Sequence, residues 1–458
     1  MPKSRPAGSN VVENFQEMVS ALTPMEAFTE ANRCLFCQDA PCTAACPTSV
    51  DVPMFIRKIS TGNLKGSAKT IMDANPLGAS CARICPTEEL CVGACVLNEL
   101  DAPIMIGKLQ RYATDYLVQH NIQLYQAGSA NQHKIAIVGA GPAGLSAARE
   151  LALLGYEVTL LDAHEKGGGL NSYAVAPFRL PQAIPLWEVN QILELGVQLK
   201  NGVTVGRDIT VEELTENYDA VLVAVGMGKI QSLEIPGENL EGVYDALDLI
   251  EQTKDGDPTQ VHLGAKVVVI GAGNTAIDAA TTAKRLGAET VQILYRRTEH
   301  EMTAYPFEYD FAKQDGVEFR WLTAPTRVLG THHVEAVECV RMELGEPDER
   351  GRRRPQPVPG SEFTVEVDNV IFAVGQQRRT DVFDDFRLKH SRGVVEVDES
   401  FQTSRPGVFA AGDCTFAGGG RNEATVVLAV QQGKQAAAAI HRQVSEKYAA
   451  IQGVSKEG

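Results

Sequence analysis

Aromatic residues are scarce in this sequence, at 6%, with two tryptophans among 458 residues. No stretch of 18 apolar residues occurs, and no apolar h-region lies near the N-terminus. A membrane span and a secretory leader are therefore not expected. Basic residues are outnumbered, 42 Lys and Arg against 58 Asp and Glu, which leaves a formal net charge of −16. That balance argues against nucleic acid or an anionic membrane surface as a partner. Beyond residue 95 only Cys339 and Cys414 remain. Without a secretion signal a disulfide framework has little support, and the cytoplasm is the expected location. The 44% hydrophobic and 22% charged content otherwise describes a soluble globular chain. Its length suits about three domains of ordinary size.

Against that scarcity, eight of the ten cysteines crowd between positions 34 and 95. The first group reads Cys34-x-x-Cys37-x4-Cys42-x3-Cys46-Pro47, and the second Cys81-x3-Cys85-Pro86-x5-Cys91-x3-Cys95. Such runs bring several thiolates to one point, and in two-cluster ferredoxin patterns the Cys before Pro serves the other cluster. The stretch therefore reads as a holder for two [4Fe–4S] clusters. Structural zinc is the competing reading of Cys-x-x-Cys pairs. Around the cysteines, Thr23-Pro24-Met25-Glu26 is a helix start with a capping Thr and a Glu that reaches back. Asp51-Val52-Pro53 is another, followed by an apolar face of Phe55, Ile56 and Ile59. No β-period run occurs before about residue 120, so an all-helical first domain is expected.

A different architecture opens at His133. Ile135 to Val138 make a short buried strand, and Gly139-x-Gly141-x-x-Gly144 turns it into a helix. A second strand, Val158 to Leu161, ends at Asp162, 18 residues beyond Gly144. Strand, glycine turn, helix and acid together form the dinucleotide fingerprint, with Asp162 placed for a ribose hydroxyl. The unit recurs: a strand over Ala265 to Ile270 runs into Gly271-Ala272-Gly273-Asn274-Thr275-Ala276. Its next strand ends not at an acid but at Arg296 and Arg297, which suit a ribose 2′-phosphate and favour NADPH over NADH. Strands over Tyr218 to Gly226 and Val370 to Gly375 both end in glycine, and a late strand ends in Gly412-Asp413. The second unit therefore reads as inserted into the first.

This pattern resembles the two-dinucleotide flavoprotein disulfide reductases. The resemblance implies that Gly139, Gly141, Gly144 and Asp162 bind FAD and that Gly412 and Asp413 complete that site. It likewise implies that Gly271, Gly273, Asn274, Thr275, Arg296 and Arg297 bind the nicotinamide cofactor. The redox cysteine pair of true disulfide reductases is missing after Gly144. Electrons must then leave the flavin by another route, and the N-terminal clusters offer one. The expected fold is α/β: an N-terminal all-helical two-cluster Fe–S domain (1–130) followed by two nested Rossmann-like dinucleotide-binding domains. The FAD-binding domain takes 131–254 and 373–445, the NAD(P)H-binding domain 255–372, and 446–458 form a flexible tail.

The whole combination is similar to the family of the glutamate synthase small subunit and the N-terminal half of dihydropyrimidine dehydrogenase. Gly167-Gly168-Gly169-Leu170 and Phe178-Arg179-Leu180-Pro181 match its flavin-side segments, which makes Leu170 and Arg179 expected FAD contacts. Ile106-Gly107-Lys108-Leu109-Gln110 matches the segment that supplies a glutamine ligand in dihydropyrimidine dehydrogenase. By that resemblance Cys34, Cys37, Cys42 and Cys95 hold one cluster. Cys46, Cys85, Cys91 and Gln110 hold the other, with Cys81 as the alternative eighth ligand. The resemblance implies an NAD(P)H-oxidising subunit of a bacterial-type dihydropyrimidine dehydrogenase, paired with a separate FMN/Fe–S catalytic subunit. Bacterial enzymes of that type also use NADH, so the donor stays open. A glutamate synthase small subunit is the runner-up. A nucleotide sensor with zinc in place of iron is the rival from another class, and flavin reduction by NAD(P)H separates it from both enzymes.

Overall fold

The computed structural model describes residues 11–100, 102–347, 353–416 and 424–451. It divides into two compact units.

The larger unit comprises Val19–Ser172, Gln182–Met227 and Arg378–Gly458. It opens with helices over Pro24–Arg33, Val52–Ser60, Leu64–Ala74, Gly78–Ile84 and Ile106–His120. Each start has a local cause. Thr23 and Glu26 form a reciprocal capping box, and the Asp51 carboxylate accepts from Met54 N at 3.0 Å, so each frees the chain from an unpaired donor. Val52, Phe55, Ile56 and Ile59 are buried along one side of their helix, at the spacing of an apolar face. The helical part ends at Asn121, a left-handed cap.

A parallel sheet follows in the same unit, in the order Val408–Ala410, Ala220–Val223, Lys134–Val138, Glu157–Leu161, Gln198–Lys200. Lys134–Val138 lies at its centre, with Ile135, Ala136 and Ile137 fully buried. The Pro142–Leu153 and Val426–Ile451 helices pack on one another, and Ala147, Ala148, Val430 and Ala437 share the core beneath them. The expected tail from residue 446 is instead helical as far as Ile451. The cause is anchorage: Val444 is buried, and the Tyr448 hydroxyl donates to Asp219 Oδ1 at 2.7 Å.

The smaller unit comprises Met1–Met18, Tyr173–Pro181 and Gly228–Gln377. Its parallel sheet runs Val243–Asp245, Asn369–Phe372, Lys266–Ile270, Thr290–Leu294, Glu318–Arg320. The unit starts earlier than the expected residue 255, because Val243–Asp245 pairs in parallel with Asn369–Phe372. An antiparallel sheet is built on Ala336–Pro347, which pairs with Thr323–Leu329, Arg353–Pro357 and Phe363–Glu366. Of the charged run from Asp348 to Arg354, residues 348–352 lie outside the described residues, and Arg353 and Arg354 begin a strand. Segment Tyr173–Pro181 belongs to this unit although its chain neighbours on both sides do not. Phe178 packs against Phe15 at 6.0 Å between ring centroids and lies 4.2 Å from the Arg285 guanidinium.

Candidate redox-cofactor site

The cysteines fall into two spatial sets. Cys34, Cys37, Cys42 and Cys95 line one open pocket of about 380 Å³, walled by Val52, Ile56, Ile104 and Ile106. The capped Pro24–Arg33 helix ends at Cys34, which is how the helix start places the first thiol. Burial pushes the Cys34 thiol up and the Cys42 thiol to about 11, and the neighbouring thiols, Cys95 among them, push the same way. In the second set, a hydrogen bond with Cys81, then burial, then the charges of Cys81, Cys91 and Cys46 hold the Cys85 thiol well up. Burial, then Cys46, raises Cys91 to about 12. Among the described residues no three His, Cys, Asp or Glu groups converge on a single-ion site; the first four thiols instead surround a volume. Thiols that oppose one another's ionisation need a compensating cation to become ligands, and an iron–sulfur cluster fits that need.

Gln110, on the Ile106–His120 helix, bonds the start of the helix that carries Cys81. Its Nε2 donates to Gly78 O at 2.8 Å, while its side-chain oxygen accepts no hydrogen bond from the described residues. Gly78 begins the helix that carries Cys81 and is capped by Cys85.

The first glycine turn also fits a bound group. A Cβ on Gly139, where φ is +107°, would lie 2.3 Å from Ala224 O, and one on Gly144 would lie 2.0 Å from Gly139 O. Those two glycines are demanded by packing. A Cβ on Gly141 would meet nothing nearer than Gly169 Cα at 3.9 Å, so this glycine opens space at the head of the Pro142–Leu153 helix, where a diphosphate binds. Asp162 is buried at the end of its strand: Oδ2 accepts from Ala140 N at 2.7 Å and Oδ1 from His164 N at 2.9 Å. The carboxylate thus braces the turn from which it would meet a ribose. Gly412 N donates to Gln432 Oε1 at 2.7 Å, and Arg378 donates to Asp413 O at 3.1 Å. Burial raises the Asp413 carboxyl to about 6, against the pull of Arg378.

The second turn repeats the construction. A Cβ on Gly271, at φ +123°, would lie 2.3 Å from Ala373 O, the counterpart of the Gly139 contact. Asn274 Oδ1 accepts from Tyr305 N at 3.1 Å, and Thr275 lies in the first turn of the Asn274–Arg285 helix. Gly226 and Gly375 follow the corresponding strands of the two units, and a Cβ on either would meet nothing within 4 Å. Arg296 is exposed, whereas the Arg297 Nε is buried without a hydrogen-bond partner among the described residues. An unpaired buried guanidinium nitrogen beside a dinucleotide turn suits an anionic group.

Two family models match this chain. Residues 133–433 match the pyridine nucleotide-disulphide oxidoreductases, and residues 11–122 match the 4Fe-4S cluster domain named dihydropyrimidine dehydrogenase domain II. The chain belongs to the pyridine nucleotide-disulphide oxidoreductase family. It is an NAD(P)H-dependent flavin oxidoreductase with an N-terminal 4Fe-4S domain. The zinc reading of the cysteines gives way to iron, and with it the zinc-holding sensor. The chain is 37% identical over 436 residues to the NAD-dependent dihydropyrimidine dehydrogenase subunit PreT of Salmonella typhimurium, covering 94% of this chain and 98% of that one. It is 34% identical over 452 residues to the glutamate synthase [NADPH] small chain of Halomonas elongata, covering 95% and 94%. Among solved structures it shares the fold of FprA from Mycobacterium tuberculosis, with TM-score 0.57 and 21% identity, over 71% of this chain and 87% of that one.

Within the oxidoreductase, the two expected flavin-side residues sit differently. Leu170 begins a short helical turn after Gly167–Gly169 and is 36% exposed. Arg179 lies in the smaller unit, where its guanidinium donates to Asp278 Oδ1 at 2.9 Å and to Glu308 Oε1 at 2.5 Å. Lys254 joins this buried group, donating to Val175 O at 2.7 Å and Leu180 O at 2.9 Å. Burial lowers Lys254 to about 7, with Asp278 opposing the shift. Asp278, Glu308 and Lys254 carried no sequence signal, since each finds its partner across a long stretch of chain. Cys339 and Cys414 are fully buried, and burial pushes both thiols to about 12; they are packing residues. Among the described residues no helix is long and apolar enough to cross a membrane.

Proposed function

We propose that the chain is the electron-input subunit of a two-subunit dihydropyrimidine dehydrogenase. It oxidises NAD(P)H and delivers electrons to a partner chain, with FMN and iron–sulfur clusters of its own, that reduces uracil or thymine. The observation that carries the reading is Gln110. Its amide is fixed by the bond to Gly78 O beside the second cysteine set, with the side-chain oxygen unengaged. The likeness to PreT over nearly the whole chain supports it further.

When bound, FAD would take a hydride from NAD(P)H and two [4Fe–4S] clusters would carry its electrons onward singly. The chain's own residues orient these groups. Gly139, Gly141, Gly144, Asp162, Leu170, Arg179, Gly412 and Asp413 serve the FAD side, and Gly271, Gly273, Asn274, Thr275, Arg296 and Arg297 the nicotinamide side. Cys34, Cys37, Cys42 and Cys95 hold the first cluster, and Cys46, Cys85, Cys91 and Gln110 the second. No side chain is assigned as a general acid or base. The reaction takes place in the cytoplasm, with no nucleic acid or membrane partner.

Anaerobic co-purification from the native cell tests the reading. An FMN-binding partner in equal amount, with uracil-dependent NAD(P)H oxidation by the pair, is expected. A large amidotransferase chain in its place would make this a glutamate synthase subunit, the second reading, which the likeness to the small chain of that enzyme favours.

A further inference from the structure

Among the described residues Glu188 is the least exposed acidic residue, at 1%. It stands on the Ala183–Leu193 helix, and its partners are all on the Gly78–Ile84 helix. Oε1 accepts from Ala79 N at 2.8 Å and Ser80 N at 2.9 Å, and Oε2 accepts from the Ser80 hydroxyl. This turn is the one that Gln110 grips through Gly78 O. One residue further on stands Cys81, and the helix ends at Cys85. The guanidinium that bears on Glu188 belongs to Arg83, which is engaged by Asp115 at 2.7 Å and by Ala79 O at 3.2 Å. Arg111 shares Asp115 at 3.3 Å. The carboxylate is thus satisfied by hydrogen bonds, while the nearby guanidinium is shared with another acid.

We propose that Glu188 sets the reduction potential of the second cluster, as a buried negative charge held against the helix that delivers its ligands. The inference rests on the two-cluster reading above. Cluster potential follows net charge, hydrogen bonding and exposure. A neutral glutamine in place of a thiolate removes one negative charge from the ligand set and raises the potential. An ionised carboxylate behind the same helix turn opposes the arrival of an electron in a medium of low dielectric, and so lowers it again. Glu188 touches neither ligand nor cofactor; it is a positioning residue whose charge acts through space. Burial raises its carboxyl to about 7, so the ionised form is the one present in mildly alkaline solution.

The test is a redox titration of the holoenzyme followed by electron paramagnetic resonance, from just above that pKa to about two units above it. Glu188→Gln keeps the shape and the acceptor oxygen and removes the charge. It is expected to move one cluster midpoint to higher potential, leaving the other midpoint and the iron content unchanged. Ser80→Ala keeps the carboxyl and removes a hydrogen bond that favours its ionised form, so Glu188 holds its proton to higher pH. It is expected to raise the same midpoint at pH values just above the wild-type value of about 7 and to leave it near wild type in more alkaline solution. Loosened packing alone would shift the midpoint alike at every pH. Midpoints unmoved in both variants at every pH overturn the proposal, and if Glu188→Gln does not fold, a Ser80→Ala midpoint that follows wild type at every pH does so alone. Iron content showing a single cluster in wild-type protein would instead overturn the two-cluster reading.

Discussion

Arg179→Met is the most informative single substitution in the smaller unit. The methionine keeps most of the side-chain stem and removes the guanidinium, which in the wild type lies between Asp278 and Glu308. All three side chains are shielded, at 14%, 6% and 4% exposure. Removing one partner of a buried pair costs about 3–5 kcal/mol, because the remaining charge is stranded. Here two carboxylates would be stranded beside each other. Lys254 offsets part of this, since Asp278 favours its protonated form and Arg179 opposes it. The expected loss therefore sits near 3 kcal/mol, which at about 2–4 °C per kcal/mol for a unit of this size lowers its melting temperature on the order of 10 °C.

The loss depends on pH. Burial holds the Glu308 carboxyl above its ordinary 4.5 while Arg179 pulls it down. A carboxyl raised in the folded state binds its proton more tightly there, so its contribution to stability falls as pH rises from 4.5 through the folded value. Without Arg179 the folded value climbs further. The gap between variant and wild type is then small in mild acid, where Glu308 is neutral, and widens towards alkaline pH. Differential scanning fluorimetry across that range, with flavin content measured in parallel, makes the assay. A variant that loses FAD while its melting stays at the wild-type value at every pH would refute the buried-pair argument and leave the proposed flavin contact as the whole of Arg179's role.

Gln110→Ala is expected to retain about half of the roughly eight irons that two clusters require, while Cys81→Ala retains them all; the reverse pattern in iron and sulfide analysis would make Cys81 the eighth ligand. Gly141→Ala and Gly144→Ala should fail in different ways. The first has room for its Cβ at 3.9 Å, so the apoprotein should melt within about 0.5 kcal/mol of wild type while FAD affinity, read by fluorescence titration, falls. The second sets a Cβ 2.0 Å from a backbone carbonyl, and soluble yield should fall before cofactor binding is at issue. Arg296→Ala with Arg297→Ala should raise KM for NADPH and leave KM for NADH unchanged; equal effects on both would show that the arginines do not select the donor.

The parts legible in the sequence are those whose causes are local. Thr23 and Glu26 lie three residues apart and cap each other, so a four-residue reading anticipates the helix that presents Cys34. Gly139 and Gly271 each announce a strand-to-helix turn because a Cβ would strike a carbonyl just past the end of the neighbouring strand, and both turns stand where the glycine spacing puts them. Unit boundaries were less legible. The pairing that draws Val243–Asp245 into the smaller unit joins strands more than 120 residues apart, and a three-residue strand has no period to read.

The buried charges were least legible of all, and for a physical reason. A carboxylate such as Glu188 carries no pattern along the chain: on a helix that also bears Asn190 and Gln191 it reads as a solvated residue turned outward. Its meaning comes from Ala79 and Ser80, more than a hundred positions earlier. Asp278 and Arg179 are likewise 99 residues apart. Yet burying an ionised group is costly unless its hydrogen bonds are met; the Glu188 carboxylate is held by three, whereas at the Arg179 site Glu308 Oε2 is buried without a partner among the described residues. At Arg179 the buried charges secure Tyr173–Pro181 within the smaller unit. At Glu188 they secure the first turn of the helix that bears Cys81 and ends at Cys85. Local motifs in the sequence say nothing of these long-range carboxylate pairings, which tie together segments far apart in the chain.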